Sequence, residues 1–440
     1  MGQSSSSKPA PSNAHNLASS FEEFFKDFKM ESKILPQKTI TLIQSLLEKG
    51  DIQKTTSVIC DALKEIENAP INIAVTGESG SGKSSFINAL RGVDHEGKDA
   101  AQVGYVETTM ERRDYKHPKI SNVTIWDLPG IGTTRFPPRK YLKEMKFGEY
   151  DFFIIISTTR FKENDAQLAK AIKKMKKNFY FVRSKVDSDL YNLKKCKPKT
   201  FNKDTLFQDI RKDCLEHLEK AEVTDPCVFL ISSFDVSNYD FPKLQTTLLK
   251  DLPAQKRHIF VQCLPCVTEA AIDRKRDSLK QKIWLEALKA GAWATIPFMS
   301  VGGNEMQTLK ETLNLYRSHF GLDDESLKNM AESLNVSLEM LTANIKSPDL
   351  LSVQKDEETL GETVLKCVEK IFSISGGLIA TGLYFGKTFY WQAYFLDTVV
   401  SDAKVLLKKE EIFRIDATSE KTKPLLDAEC ENGKSEAALP

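Results

Sequence analysis

Eight consecutive residues constrain this chain more than any others: Gly77-Glu-Ser-Gly80-Ser-Gly82-Lys83-Ser84. They fit G-x-x-x-x-G-K-[ST], a pattern that functions only between a strand and the helix it feeds. Both flanks fit, with an apolar run at 71–76 before it and a helical stretch at 84–91 after it. The glycines let successive backbone N–H groups face inward as a nest for phosphate oxygens, and the following helix adds its positive end. Lys83 is placed to bridge the β- and γ-phosphates and Ser84 to ligate Mg²⁺. In a chain of 440 residues the pattern arises by chance about once in fifty sequences of average composition. Binding of a nucleoside triphosphate is therefore the first expectation.

Two further elements sharpen it. Asp127-Leu-Pro-Gly130 directly follows an apolar run at 123–126; an Asp at a strand end holds the Mg²⁺ shell through water, and the Gly offers its N–H to the γ-phosphate. Ser184-Lys185-Val186-Asp187 follows the run at 179–182. A carboxylate accepts both the N1–H and the 2-amino protons of guanine, which adenine cannot supply, while the Lys stem covers the ring. GTP, rather than ATP, is the expected ligand. Ser232-Ser233 after the run at 228–231 stands where a short loop meets the base.

The runs at 71–76, 123–126, 152–156, 179–182 and 228–231 are short and rich in β-branched and aromatic residues, which is how strands buried on both faces read. Helical stretches at 84–91, 166–177 and 205–220 lie between them. That alternation predicts an α/β domain with a doubly wound, mostly parallel sheet. Past Leu252 helical periodicity takes over, as in Leu279, Ile283, Trp284, Leu285 and Leu288. Before Ile71, apolar residues recur at helical spacing with a break at Gly50. Neither helical segment can bury its apolar face alone, so an all-helical domain built from both ends of the chain is expected. The reading divides the chain into a disordered tail at 1–18, an N-terminal helical segment at 19–70, a nucleotide-binding domain at 71–252, a C-terminal helical domain at 253–415 and a flexible tail at 416–440.

Composition removes other classes. Lys and Arg total 62 against 61 for Asp and Glu, so no global field draws the molecule to nucleic acid, and aromatic-basic clusters are lacking. The first twenty residues have no apolar h-region, and reduced thiols in the cytosol are expected for the eight cysteines. Cys263-Leu-Pro-Cys266 is the sole C-x-x-C; without a second pair it reads as two core thiols, not a zinc site.

The polar segment from Asp94 to Arg113 contains Gly104, Glu107, Thr108 and Thr109. One Thr hydroxyl here is expected to complete the Mg²⁺ shell when the γ-phosphate is present, with Thr109 favoured and Thr108 the alternative. Many small GTPases carry a water-orienting Gln immediately after Asp-x-x-Gly, but here the residue is Ile131. Another group must position water, and Glu107 is the candidate. Such a site is slow alone and quickens when a second subunit buries or reshapes it.

Taken together, Gly77 to Ser84, Gly104-Tyr-Val-Glu107-Thr-Thr109-Met-Glu-Arg112, Trp126-Asp127-Leu-Pro-Gly130-Ile-Gly132, Tyr150-Asp-Phe-Phe-Ile-Ile-Ile156 and Arg183-Ser-Lys185-Val-Asp187 resemble the immunity-related GTPases, an interferon-inducible family of vertebrates. Lys83 places the chain with the effector subgroup rather than with regulators carrying Met there. The resemblance implies a GTPase domain set into a helical domain, hydrolysis of GTP to GDP and phosphate, and GTP-dependent association with itself and related immunity GTPases. It also implies recruitment from the cytoplasm to the membranes of pathogen-containing vacuoles, or to the pathogens themselves, with disruption of those membranes as the output. The family's nucleotide contacts carry over to Gly80, Gly82, Lys83, Ser84, Ser85, Gly104, Lys185, Asp187 and Ser233. Ser184 departs from the Thr more usual among relatives, and a weakened neighbouring hydrogen bond is the expected result.

Peripheral membrane attachment has its own signals. Met1-Gly2-Gln-Ser-Ser-Ser6 fits N-myristoylation at Gly2, although one such chain binds membrane only marginally and a second signal is needed. Phe21, Phe24, Phe25 and Phe28 form a helical stripe after a capping box at Ser20 and Glu23; stripes of that spacing are core more often than membrane anchors. The uncharged run 371–386 is too short for a span and reads as a buried helical hairpin, and the run 290–303 is the other candidate. Two rival functions share the nucleotide site: a dynamin-like remodeller of host membranes, which needs a longer stalk than the helical part offers, and a GTP-gated scaffold in which Ile131 marks lost catalysis.

Overall fold

The computed structural model describes residues 34–102, 111–129, 138–158, 163–220, 222–223, 225–293, 305–351 and 378–408. Helices α1 (Gln37–Glu48) and α2 (Ile52–Asn68) come first and are separated at Gly50, whose φ of 69° ends the first helix. The Asp51 side chain accepts the Lys54 N–H and caps α2. Next come β1 (Ile71–Gly77), α3 (Lys83–Arg91), β2 (Arg113–Lys116), β3 (Val123–Asp127), α4 (Pro138–Glu144), β4 (Phe152–Ser157), α5 (Glu163–Lys174), β5 (Asn178–Arg183), α6 (Val186–Cys196), α7 (Lys203–Lys220) and β6 (Val228–Leu230). The sheet order is β2-β3-β1-β4-β5-β6, parallel throughout except for β2, which runs antiparallel on β3. Helices α8 (Phe241–Lys250), α9 (Ala254–Cys263), α10 (Glu269–Trp293), α11 (Glu305–His319), α12 (Asp324–Leu334), α13 (Leu338–Thr342) and α14 (Leu378–Leu407) follow among the described residues.

The strands are apolar on both sides because both sides are covered. Ile73, Val75, Ile125, Ile154 and Ile156 face one core, shared with Phe86 of α3, Phe241 and Leu244 of α8, and Ile259 and Phe260 of α9. Ala74, Phe153, Ile155 and Phe181 face the other, with Tyr141 of α4, Leu168 and Ile172 of α5, and Leu218 of α7. The alternation along each strand follows the two-residue period of the pleat. Burying a side chain such as Phe153 or Ile154 in these layers is worth roughly 2 kcal/mol each. One strand lies outside the expected set. Arg113-Asp-Tyr-Lys116 is polar and mostly exposed, so β2 carries no apolar signal, and its four-residue backbone ladder to β3 holds it at the edge.

The helical part centres on α10. One side buries Leu279 and Ile283 against Leu313, Tyr316, Trp391, Phe395 and Val399 of α11 and α14. Another buries Trp284, Leu285 and Leu288 against Ile40, Ile43, Ile59, Leu63 and Ile66 of α1 and α2. Both ends of the chain thus build one helical body, as their unpaired apolar faces required. Of the run 371–386, residues 371–377 lie outside the described residues, and from Leu378 the run forms the first turns of the 30-residue helix α14. No helix among the described residues is long and apolar enough to cross a membrane.

A polar seam joins the helical body to the sheet. The Lys275 ammonium, 3% exposed, donates to the carbonyls of Gln262 (3.1 Å), Leu264 (2.9 Å) and His319 (2.6 Å). At the β2–β3 turn, His117 Nε2 meets the Cys263 carbonyl at 3.1 Å, and Lys119 reaches Asp323 (2.6 Å), Ser326 (2.9 Å) and the Ser318 carbonyl (3.1 Å). Burial and the nearby Lys275 hold the His117 imidazole neutral, lowering its pKa to about 3.

Candidate functional site

The loop between β1 and α3 is shaped by glycine backbone. Gly77 has φ 145°, and a Cβ there would lie 2.1 Å from the Ile156 carbonyl of β4, so a side chain would drive the two central strands apart. Gly82 has φ 90° and is the N-cap of α3, a left-handed conformation that costs an L residue about 1–2 kcal/mol. Gly80 also has positive φ, at 74°. The result is a turn that aims the first amides of α3 inward. Lys83 lies over this loop, 8% exposed, with its Nζ donating to the carbonyls of Gly77 (3.1 Å) and Glu78 (2.9 Å). Ser84 and Ser85 follow in the first turn of α3, and Asp127, 1% exposed, ends the neighbouring strand β3.

The base side forms at the far end of β5. Lys185 adopts a left-handed backbone, φ 59°, and caps α6; such geometry in a non-glycine residue is costly and concentrates at functional sites. It lets the Val186 N–H reach the Ile231 carbonyl (3.2 Å) while the Lys185 Nζ crosses to the Gly80 carbonyl (3.0 Å). Asp187 sits in the first turn of α6. Its Oδ1 is buried with no hydrogen-bond partner among the described residues, which is what a carboxylate kept for an external pair of N–H donors looks like. Ser232 uses its Oγ to accept the N–H groups of Phe234 (3.2 Å) and Asp235 (3.3 Å), which sets the turn that carries the buried Ser233.

Ser184 joins the two loops. Its hydroxyl donates to the Ser81 carbonyl at 2.7 Å and lies 3.3 Å from the Ser157 carbonyl, while its N–H donates to Ser157 at 2.8 Å. A serine thus makes the tie between base loop and phosphate loop, because the bond needs only the hydroxyl. Sequence reasoning also missed the groups that fasten the segments around the site. Asn88 brackets Ala101 with two bonds (3.0 and 2.7 Å). Arg112 stacks on the Trp126 ring at 4.6 Å and donates to Glu149 at 2.9 Å. These anchor the two ends of the segment that holds Gly104, Glu107, Thr108 and Thr109. Those four residues, Gly130 and Gly2, together with the Phe21 stripe, lie outside the described residues.

The described donors fit the ligands the motifs imply. Neither Ser84 nor its neighbours form a protein-only metal cage, and among the described residues no group of three His, Cys, Asp or Glu side chains stands ready for one. Mg²⁺ is ordinarily held by one or two protein oxygens plus water and phosphate, and the Ser84 hydroxyl on the helix after β1, with the buried Asp127 at the end of the adjoining strand β3, supplies oxygens of that kind.

Comparison with known proteins decides the family. A family model described as interferon-inducible GTPase matches residues 36–410. The chain belongs to the interferon-inducible GTPases. It is 59% identical to the mouse protein interferon-gamma-inducible GTPase 10, over 96% of this chain and 100% of that one. T-cell-specific guanine nucleotide triphosphate-binding protein 2 of mouse is 56% identical over 90% of this chain and 95% of the relative, and interferon-inducible GTPase 1 of mouse 48% over 93% and 99%. This interferon-inducible GTPase binds and hydrolyses GTP, and the two loops at the carboxyl ends of β1 and β5 are where its sheet offers a site for it.

Proposed function

We propose that this GTPase works by GTP-dependent self-association on the membranes of pathogen-containing vacuoles, or on pathogens themselves, and disrupts them in cell-autonomous innate immunity. What carries the reading is one conjunction: a family match over residues 36–410 in a chain that keeps Lys83 in its phosphate loop. Lys83 bridges the β- and γ-phosphates, and the amides around Gly80, Gly82 and Ser85 cradle them. Lys185 covers the guanine and Asp187 pairs with its N1–H and 2-amino group, with Ser233 and Gly104 completing the nucleotide contacts. Ser84 and Thr109 hold Mg²⁺ and Asp127 supports its water shell; the ion, when bound, neutralises charge on the phosphate oxygens. Gly130 meets the γ-phosphate. Because Ile131 cannot orient water, Glu107 does so once a second copy of the chain, or a related immunity GTPase, buries or reshapes the site. Myristoylated Gly2 supplies weak peripheral attachment, and self-association multiplies it into stable residence.

The test is GTP turnover per molecule across a range of protein concentrations, with Lys83→Ala alongside. Rising specific activity that disappears in the Lys83→Ala protein is the expected result. Turnover that is flat with concentration removes the assembly step, and GTP binding with no turnover at any concentration makes the protein a GTP-gated scaffold.

A further inference from the structure

Beyond the motifs, one buried hydroxyl joins the two halves of the phosphate site. Tyr141 of α4 is fully buried, and its Oη donates to the Pro129 carbonyl at 2.7 Å. The same oxygen lies 3.1 Å from Thr76 Oγ1 in β1, one residue before the phosphate loop. A phenol has a single proton, and a carbonyl can only accept, so Thr76 donates to Tyr141 while Tyr141 donates to Pro129. Burial pushes the Tyr141 phenol well above its usual range, which keeps that proton in place at physiological pH. The ring is fixed by the edge-on contact with Phe147 at 5.7 Å. A second tie runs alongside, from the Leu128 N–H to the Val75 carbonyl at 2.9 Å.

The consequence follows from the peptide unit. A carbonyl and the N–H that follows it share one rigid plane and point to opposite sides of a trans bond. Holding the Pro129 carbonyl therefore sets the direction of the next amide, the group that reads the γ-phosphate in the function proposed above. GDP and GTP share the β-phosphate contacts, and this amide is among the groups that, with Lys83 and Thr109, meet what GTP alone carries. We propose that the Tyr141 hydroxyl is a positioning group that locks the Pro129 carbonyl, and with it the peptide plane that follows, to β1 and so makes the protein favour GTP over GDP. It acts through Pro129 and Thr76 and touches no nucleotide. No motif marks it, since the hydroxyl joins residues 65 and 12 positions away in the chain.

This inference rests on the reading of the turn as the γ-phosphate contact, so the experiment carries a separate arm for that reading. Affinities for GDP and for a non-hydrolysable GTP analogue are measured on the full chain with Tyr141→Phe, Thr76→Val and Gly130→Ala. Tyr141→Phe keeps the packed ring and removes only the hydroxyl. It is expected to weaken the GTP analogue about ten-fold, the scale of one lost buried hydrogen bond, with GDP affinity held within about two-fold and kcat reduced. Thr76→Val, which leaves the Pro129 bond in place, shifts the same ratio by a smaller factor and serves if Tyr141→Phe folds poorly. Equal weakening of both nucleotides, in step with a lower Tm, overturns the inference and makes Tyr141 structural. An unchanged ratio in Tyr141→Phe beside a collapsed ratio in Gly130→Ala overturns it too. If Gly130→Ala leaves the ratio intact, the reading of the turn fails and the inference falls with it.

Discussion

Asp187 and Gly82 illustrate how much a single position decides. The unpartnered Oδ1 of Asp187 predicts that Asp187→Asn, which places a donor where guanine also donates, lowers guanine nucleotide affinity by at least about ten-fold. The same change should raise affinity for a xanthine nucleotide, whose carbonyl at that position accepts; competition binding with the two nucleotides reads both shifts. Gly82→Ala meets no close neighbour, since the nearest atoms stand 3.6 Å and 3.8 Å from the added carbon. Its cost is the left-handed backbone, about 1–2 kcal/mol, and a fall in Tm with weakened binding of both GDP and GTP is the expected outcome. These residues were legible in sequence because their chemistry is local: a pattern within eight positions fixes each of them. Tyr141, Thr76 and Asn88 were not, because their partners come from distant stretches and each residue type is unremarkable alone.

At the scale of elements, what was legible followed burial. Strands β1, β4 and β5 are covered on both faces, so their residues must be apolar, and the run in the sequence is the record of that cover. β2 is the counterexample: Arg113, Asp114 and Lys116 meet water, and only the ladder to β3 makes the segment a strand. Helix α6 was hidden for another reason, since it begins inside the base motif and mixes Asp187, Asp189, Lys194 and Lys195 with few apolar residues. The dependence of β2 on its anchor is testable. Arg112 lies over Trp126 and pairs with Glu149, a pairing that raises its pKa. Arg112→Ala is expected to speed hydrogen exchange of the 113–116 amides while leaving those of β1 protected; equal protection in both would mean that the ladder alone holds the strand.

Across the whole molecule, the seam between sheet and helical body is uncharged at its histidines. Burial lowers the pKa of His117 to about 3, with Lys275, Arg91 and Lys119 adding to the effect; burial does the same for His258, also to about 3, near Lys282. His319 is lowered as well, again chiefly by burial. A folded pKa below the unfolded value near 6.5 means that the unfolded chain binds more protons between those limits. Stability contributed by these groups is therefore complete above about pH 6.5 and is lost as pH falls toward 3, with a slope of up to about 1.4 kcal/mol per pH unit for each histidine. Urea midpoints at a series of pH values from 7 to 4 should decline, and His258→Asn, which cannot titrate, should flatten the decline.

The two margins of the sheet carry a further consequence. An open sheet edge is a template on which another chain can lay a strand, and proteins that crowd together on a surface are exposed to that hazard. Here one margin is β2, with Arg113, Asp114 and Lys116 in water, and the other is β6, only three residues long. At β6 the Arg211 guanidinium occupies the Val228 carbonyl and Asp240 accepts the Leu230 N–H. Charge guards one side and brevity with side-chain capping guards the other. Neither margin of this sheet therefore offers another copy of the chain a long, bare ladder on which to lay a strand, so crowding of copies does not of itself fuse sheet to sheet.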